Sequence, residues 1–238
     1  MKQFAIIGLS NFGCQLLEEI VETGAEVMIL DKDREVVELY KNKVTLAYVT
    51  DVLNEETIVK LVPPTIDAAI IDLGKRVEAS ILVTNYLKKL GIKEIIARAE
   101  STELSEILLL VGATKVVFPN REAAKRITPF LVSSQIFNYL PISKDLVIAE
   151  VKVPERFYGK SLVELDLRRK YGLNVIAYRK LDSEEYFFYT PDYLLQSDDL
   201  ILVGGSEVNI ESFTGEKLAI SRKRVAGLFR RLFSRKSQ

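Results

Sequence analysis

The chain has 238 residues, 48% of them hydrophobic and 28% charged, with 33 basic and 33 acidic side chains and a formal net charge of +0. Such a composition excludes wholesale disorder, and the charge balance excludes the global basic field on which general nucleic-acid binders depend. The lack of histidine rules out histidine-based triads and histidine-containing zinc sites; a lone cysteine, Cys14, rules out an internal disulfide and fits a reducing cytoplasm.

The chain opens with the apolar run Phe4-Ala5-Ile6-Ile7, then Gly8-Leu9-Ser10-Asn11-Phe12-Gly13, then an amphipathic stretch to Glu22. This is the outline of a nucleotide-binding strand, turn and helix. In such a turn the first glycine permits the reversal, the second lets backbone approach a pyrophosphate, and the third allows close helix–strand packing. Gly8 and Gly13 take the first and third places. Ser10 stands in the second, adding a side chain where phosphate normally meets backbone, with a hydroxyl that can donate. The helix behind the turn offers free N–H groups and a positive dipole end. The opening run is too brief, and too soon interrupted by Gly8, to read as a signal peptide. No apolar run approaches the ~20 residues of a membrane span.

Up to residue 119, strand-like runs at 4–7, 26–30, 45–49, 68–71, 94–97 and 115–118 alternate with helical patterns at 12–22, 34–41, 55–61, 76–90 and 102–111. That rhythm predicts an α/β, Rossmann-like doubly wound parallel sheet, with Gly24, Gly91 and Gly112 ending three helices. Ligands of such sheets bind outside the carboxyl ends of the strands, which groups Asp31, Asp51, Asp72 and Arg98. Asp31, with Lys32 beside it, suits a ribose hydroxyl, or else Asp31 or Asp33 caps the next helix. Asp51 meets a base edge or starts a turn. Asp72 puts negative charge beside the phosphate position, which disfavours a highly charged ligand. Arg98 is a partner for Glu100 or Glu103, or a phosphate clamp.

Residues 120–138 read as one long helix or two, with Asn120 as cap and Pro129 kinking or dividing it. Strand candidates at 146–153, 173–178, 186–189 and 200–203, with a helix at 162–170, predict a smaller α+β unit. The predicted division is 1–139 for the nucleotide-binding domain with its connector helices, 140–215 for the second domain, and 216–238 for a tail. Within that tail Val225, Leu228, Phe229, Leu232 and Phe233 share one helical face among basic residues. The pattern fits an anionic membrane surface or an acidic partner groove, or else a frayed solvated terminus.

Two motifs together carry a family resemblance. One is the Gly8 to Gly13 turn with Asp31 and Asp51; the other is the block 157–177 (Phe-Tyr-Gly-Lys-Ser-Leu-Val-Glu-Leu-Asp and onward) with Pro191-Asp192 and the run 198–204. Over roughly residues 2–207 the chain resembles the RCK regulatory subunits of Trk/Ktr-type bacterial potassium uptake systems, with TrkA-N and TrkA-C subdomains. The resemblance implies a cytoplasmic gating protein at the inner face of the plasma membrane, without catalytic residues of its own. Its dimers would assemble as an octameric ring beneath a membrane-embedded potassium-translocating subunit (TrkH/KtrB-like). It also implies an adenine nucleotide (ADP, ATP, AMP or NAD(H)) in the first cleft. The turn Gly8, Ser10, Asn11, Phe12 and Gly13 would lie at the phosphates, Asp31 at the ribose, and Asp51 and Val52 at the adenine edge. Some members bind cyclic di-AMP between paired C-terminal subdomains, in the region of Asp166, Leu167, Arg168, Asn174, Val175 and Pro191. ATP-responsive relatives carry arginine where this chain has Asn11 and glutamate where it has Asn120. Asparagine cannot supply arginine's charge-assisted fork, so weak ATP-over-ADP discrimination, or a purely structural cleft, is implied.

Two other functions share the first domain. A nicotinamide-dependent oxidoreductase needs a proton-transfer group facing the nicotinamide, and the second half contains no recognisable catalytic set. A nucleotide-sensing repressor needs a DNA-reading element, and the chain shows no helix-turn-helix pattern.

Overall fold

The structure is a computed structural model that describes residues 1–217. The tail helix predicted for residues 221–236 lies outside the described residues. The chain divides into two compact units, Met1–Arg121 and the remainder from Glu122.

In the first unit six parallel strands lie in the order β3-β2-β1-β4-β5-β6. They are β1 (Gln3–Ile7), β2 (Glu26–Asp31), β3 (Leu46–Val49), β4 (Ala68–Ile71), β5 (Ile95–Arg98) and β6 (Lys115–Val117). The crossovers are α1 (Asn11–Glu22), α2 (Arg34–Tyr40), α3 (Glu55–Leu61), α4 (Val77–Lys89) and α5 (Thr102–Val111). Strand alternation divides the core. Ala5, Ile7, Leu30, Ala69 and Ile71 face Ile58, Val83, Leu87 and Leu108 on α3 to α5. Ile6, Val27, Ile29 and Ile70 face Leu17 of α1 and Val37 and Tyr40 of α2. Both faces of β1 are thus covered, which is why its sequence is continuously apolar rather than alternating. The strand order reverses direction between β1 and β4, and that is where the glycine turn emerges.

The second unit contains an antiparallel sheet in the order β7-β8-β10-β9, formed by β7 (Ile136–Pro141), β8 (Val147–Lys152), β9 (Asn174–Lys180) and β10 (Asp199–Gly205). With it go α6 (Pro119–Val132), which begins in the first unit, and α7 (Leu162–Leu165), α8 (Leu167–Tyr171) and α9 (Glu207–Thr214). Phe157, Tyr171 and Phe213 form an aromatic knot, with ring centroids 5.2 to 5.8 Å apart, that ties α8 and α9 to the segment after β8.

Several expectations give way here. The helix predicted to continue to residue 138 stops at Val132, and the chain goes on as a strand paired with β8, on which a bulge between Ile136 and Asn138 lets Ile136 and Tyr139, three residues apart, both be buried. The two compact units meet at Arg121 and Glu122, inside α6, the helix expected to connect the domains. Asn120 is the second residue of α6, not its cap, and Pro129 lies inside an undivided helix. The predicted strand at 186–189 is reduced to a single bridge, Phe187 against Tyr178, and β7 supplies the fourth strand. The single helix predicted at 162–170 breaks at Asp166, which takes a left-handed conformation with φ of 42°. No described helix is long and apolar enough to cross a membrane.

Candidate functional site

The turn after β1 is built by close approach. Gly8 has φ of 88°, and a Cβ there would lie 2.3 Å from the Asp72 carbonyl oxygen. A Cβ at Gly13 would lie 2.8 Å from the Gly8 carbonyl oxygen and 3.1 Å from Asp72 Oδ2. Both places therefore need glycine, as the sequence predicts.

Asp72 follows β4 directly and is 1% exposed. Its Oδ2 accepts the Gly13 N–H at 2.7 Å and the Ser10 hydroxyl. Ser10 is the N-cap residue of α1 by position, yet its side chain makes no cap bond; Asp72 caps the helix from the neighbouring strand instead. Arg98, at the end of β5, donates through Nη1 to Asp72 Oδ1 and to Ser10 Oγ, both at 2.9 Å, and through Nη2 to Glu100 Oε1, also at 2.9 Å. Of the two partners expected for Arg98, Glu100 is the one it takes; Asp72 was not foreseen. Its guanidinium is mostly buried, at 15% side-chain exposure.

Asp31 reaches the same turn from β2. Its Oδ2 accepts the Leu9 N–H at 2.6 Å and its Oδ1 the Asp33 N–H at 2.9 Å. The cap of α2 is Asp33, which accepts from the Glu35 N–H, so Asp31 remains beside the turn. Asn11 and Phe12 form the first turn of α1, Asn11 exposed and Phe12 half-buried; Lys32 is exposed next to Asp31. The structure thus gathers Gly8, Ser10, Gly13, Asp31, Asp72 and Arg98. It does not gather Asp51, whose carboxylate turns to the Leu53 N–H at 3.2 Å and to Arg76 at 3.7 Å. Val52 is buried in the core, so any contact it makes with a base must come from its backbone.

Beside this cluster lies a cavity of about 280 Å³ lined by Arg98, Glu100, Phe118, Asn120 and Arg121 among others. Arg121 stacks on the Phe118 ring at 4.2 Å and donates to Thr102 at 3.2 Å. Sequence reading passed over Arg121 because its signal, a cation after the last strand, is shared with many solvated helix starts. One residue beyond Gly13 along α1, burial pushes the Cys14 thiol up, and burial together with a hydrogen bond to Cys14 pushes the Tyr40 phenol up to about 12. Both groups stay protonated at neutral pH and neither is primed as a nucleophile.

The second unit carries a larger cavity, about 540 Å³, between α7, α8 and the start of β9. Asp166, Leu167, Arg168, Asn174, Val175 and Pro191 all line it, together with Tyr189, whose part the sequence did not signal. A Ser161–Glu164 capping box starts α7, and the left-handed Asp166 turns the chain so that α8 begins at once, which brings Arg168 to the cavity.

Comparison with known proteins covers nearly the whole described chain. Residues 4–119 match the TrkA-N domain family model, and residues 146–216 match the TrkA-C domain model. The Ktr system potassium uptake protein C of Bacillus subtilis is 32% identical over 212 residues, which is 89% of this chain and 96% of that protein. The Ktr system potassium uptake protein A of Vibrio alginolyticus is 29% identical over 208 residues, 87% of this chain and 93% of its own length. Among solved structures, the GsuK channel bound to NAD superposes with a TM-score of 0.64 at 17% identity, over 91% of this chain and 40% of that one, a likeness of fold alone.

Proposed function

We propose, for a chain that belongs to the TrkA-N/TrkA-C family of Ktr-type potassium uptake proteins, that it is the regulatory subunit of a potassium uptake system and acts by binding rather than by catalysis. The observation that carries this reading is the match to both family models and to almost the full length of a Ktr protein. As a regulatory subunit it sits on the cytoplasmic side of a membrane-embedded potassium-translocating partner, and its dimers build a ring. The finer reading is that an adenine nucleotide occupies the cleft at the β1/β4 switch point, with Asp31 at its ribose. A second anionic ligand of the cyclic di-AMP kind fits the cavity at Arg168 and Asn174. A regulator needs differential affinity for two states of the assembly, and two cavities on separate units provide two places for it.

The test is potassium flux through the translocating subunit in proteoliposomes, with and without this chain, titrated with ATP, ADP, AMP, NADH and cyclic di-AMP. Flux should depend on the chain and on at least one of these ligands, and Asp31→Asn should weaken the response to the first-cleft ligand. Flux indifferent to the chain would refute the regulatory role. A response to the chain but to none of the ligands would leave that role standing and refute the ligand assignments.

A further inference from the structure

We propose that Asp72 is a built-in anion in the phosphate position of the first cleft, so that this cleft recognises its ligand through the adenosine half and gains little from phosphates. The inference rests on the nucleotide reading of that cleft and says which part of the nucleotide is read. In a glycine turn of this type the first-turn N–H groups and the helix dipole are what attract phosphate. Here the Gly13 N–H is already committed to the Asp72 carboxylate, and the one hydroxyl added to the turn, on Ser10, donates to the same oxygen. The nearest cation is committed as well: Arg98 is held between Asp72 and Glu100.

The burial of Asp72 is what makes this more than a surface arrangement. A carboxylate that is 1% exposed has donors from three residues converging on it, Gly13, Ser10 and Arg98. This is the complement of donors that a bound phosphate oxygen would otherwise require. A phosphate entering the turn meets a fixed negative charge and finds the Gly13 N–H and the guanidinium already occupied. With charges some ~7 Å apart at an effective dielectric of ~20, the repulsion corresponds to a loss of about ten- to a hundredfold in affinity. The serine in the second glycine position and the aspartate after β4 therefore form one device, with Ser10 linking Asp72 to Arg98.

The experiment is calorimetric titration of the purified full chain with adenosine, ADP and ATP, on the wild type, Asp72→Asn and the double variant Asp72→Asn/Arg98→Gln. Asparagine keeps an acceptor for the Gly13 N–H while removing the charge and freeing Arg98. The wild type should bind adenosine and ADP within a few-fold of each other. Asp72→Asn should improve ADP and ATP by about ten- to a hundredfold with adenosine unchanged, and the double variant should lose that gain. A wild type that binds ADP a hundredfold more tightly than adenosine would overturn this proposal alone and leave the nucleotide reading intact. So would an Asp72→Asn variant, folded by circular dichroism, that keeps the wild-type ratio of ADP to adenosine. Absence of binding by adenosine and nucleotides alike, in the wild type and both variants, would overturn the nucleotide reading of the cleft and this proposal with it.

Discussion

Replacing Gly8 by alanine tests how the switch-point turn is held. Two costs can be worked from the structure. The residue sits at φ of 88°, where an L side chain costs about 1–2 kcal/mol. The added Cβ would also lie 2.3 Å from the Asp72 carbonyl oxygen, about 1 Å inside ordinary contact, so β1 and β4 must part locally. The bonds disturbed are Asp72 N–H to Ile7 O at 2.9 Å, which joins β1 to the end of β4, and Gly8 N–H to Leu30 O at 2.8 Å, which holds the shifted residue to β2. Weakening them adds about 1 kcal/mol each, for a total of roughly 3–4 kcal/mol against a domain stability of ~5–15. Gly24→Ala is the control: it has φ of 78° with nothing within 4 Å of the added Cβ, so it carries the conformational cost only. Urea denaturation of the full chain, followed by hydrogen exchange at the amides of β1, β4 and β8, separates the effects. Gly8→Ala should lose protection in β1 and β4 by more than Gly24→Ala, and leave β8 as in the wild type. Equal losses in the two variants would refute the close-approach argument, because only the steric part distinguishes them.

In the second unit, Glu150 is 2% exposed and accepts Arg179 Nε at 2.5 Å, Arg179 Nη2 at 3.0 Å and the Tyr186 hydroxyl at 2.7 Å. Glu150→Ala should cost about 3 kcal/mol in a urea melt, since it leaves a half-buried guanidinium without its carboxylate and with only the carbonyls of Lys180, Leu181 and Ser183; a loss below about 1 kcal/mol would show that the charge escapes to water. The Glu216 carboxyl is held below its ordinary value, chiefly by the hydrogen bond from Ser133, with Ser134 adding a second. A pKa depressed in the folded state means that the stabilisation is full above the unfolded value and is lost as pH falls through the folded one. The melting-temperature gap between wild type and Glu216→Gln should therefore shrink from neutral pH toward acid, and a gap that grew in acid would reverse the sign of the argument. Arg168→Ala should weaken cyclic di-AMP binding by about ten- to a hundredfold, the usual loss of a charge-assisted hydrogen bond, with the melting temperature of the unliganded protein unchanged; undiminished calorimetric affinity would remove Arg168 from the site.

The legibility of this chain followed the locality of its signals. The first unit could be read because its strands are contiguous apolar runs and its turns carry glycines that no other residue replaces, so Gly8, Gly13 and the bounds of α3 and α5 follow from sequence. Asp72 was legible as a charge near the turn but not as the cap of α1, because the partner that decides its role lies 59 residues away. In the second unit β7 was hidden behind a helical pattern; only its pairing with β8 makes Ile136 and Tyr139 a buried face. The run Tyr186-Phe187-Phe188-Tyr189 misled for the opposite reason. Aromatic residues favour strands, yet this segment is held by the Tyr186 hydroxyl on Glu150 and one bridge to β9, with no ladder to extend. The left-handed Asp166 was equally silent, since aspartate tolerates that conformation without requiring it.

The two cavities treat charge in opposite ways, and this bears on how a regulator with two ligands would divide its work. At the first, Arg98 is already paired to Asp72 and Glu100, so a polyanion would have to break an ion pair before gaining one, and the net gain is small. At the second, Arg168 lines the cavity while exposed, and its side chain makes no ion pair or hydrogen bond among the described residues. A phosphate arriving there displaces only water. The adjoining Asp166 is partly engaged by Arg169 at 3.7 Å, which reduces its repulsion of an anion. On the proposed ligand assignments, the energetic response to a phosphate-bearing ligand would be concentrated in the second unit, whereas the first would respond to the neutral surface of its ligand. A coupling free energy can be no larger than the difference in affinity a ligand has for two states. The steeper dependence on phosphate number should accordingly belong to the ligand of the second unit.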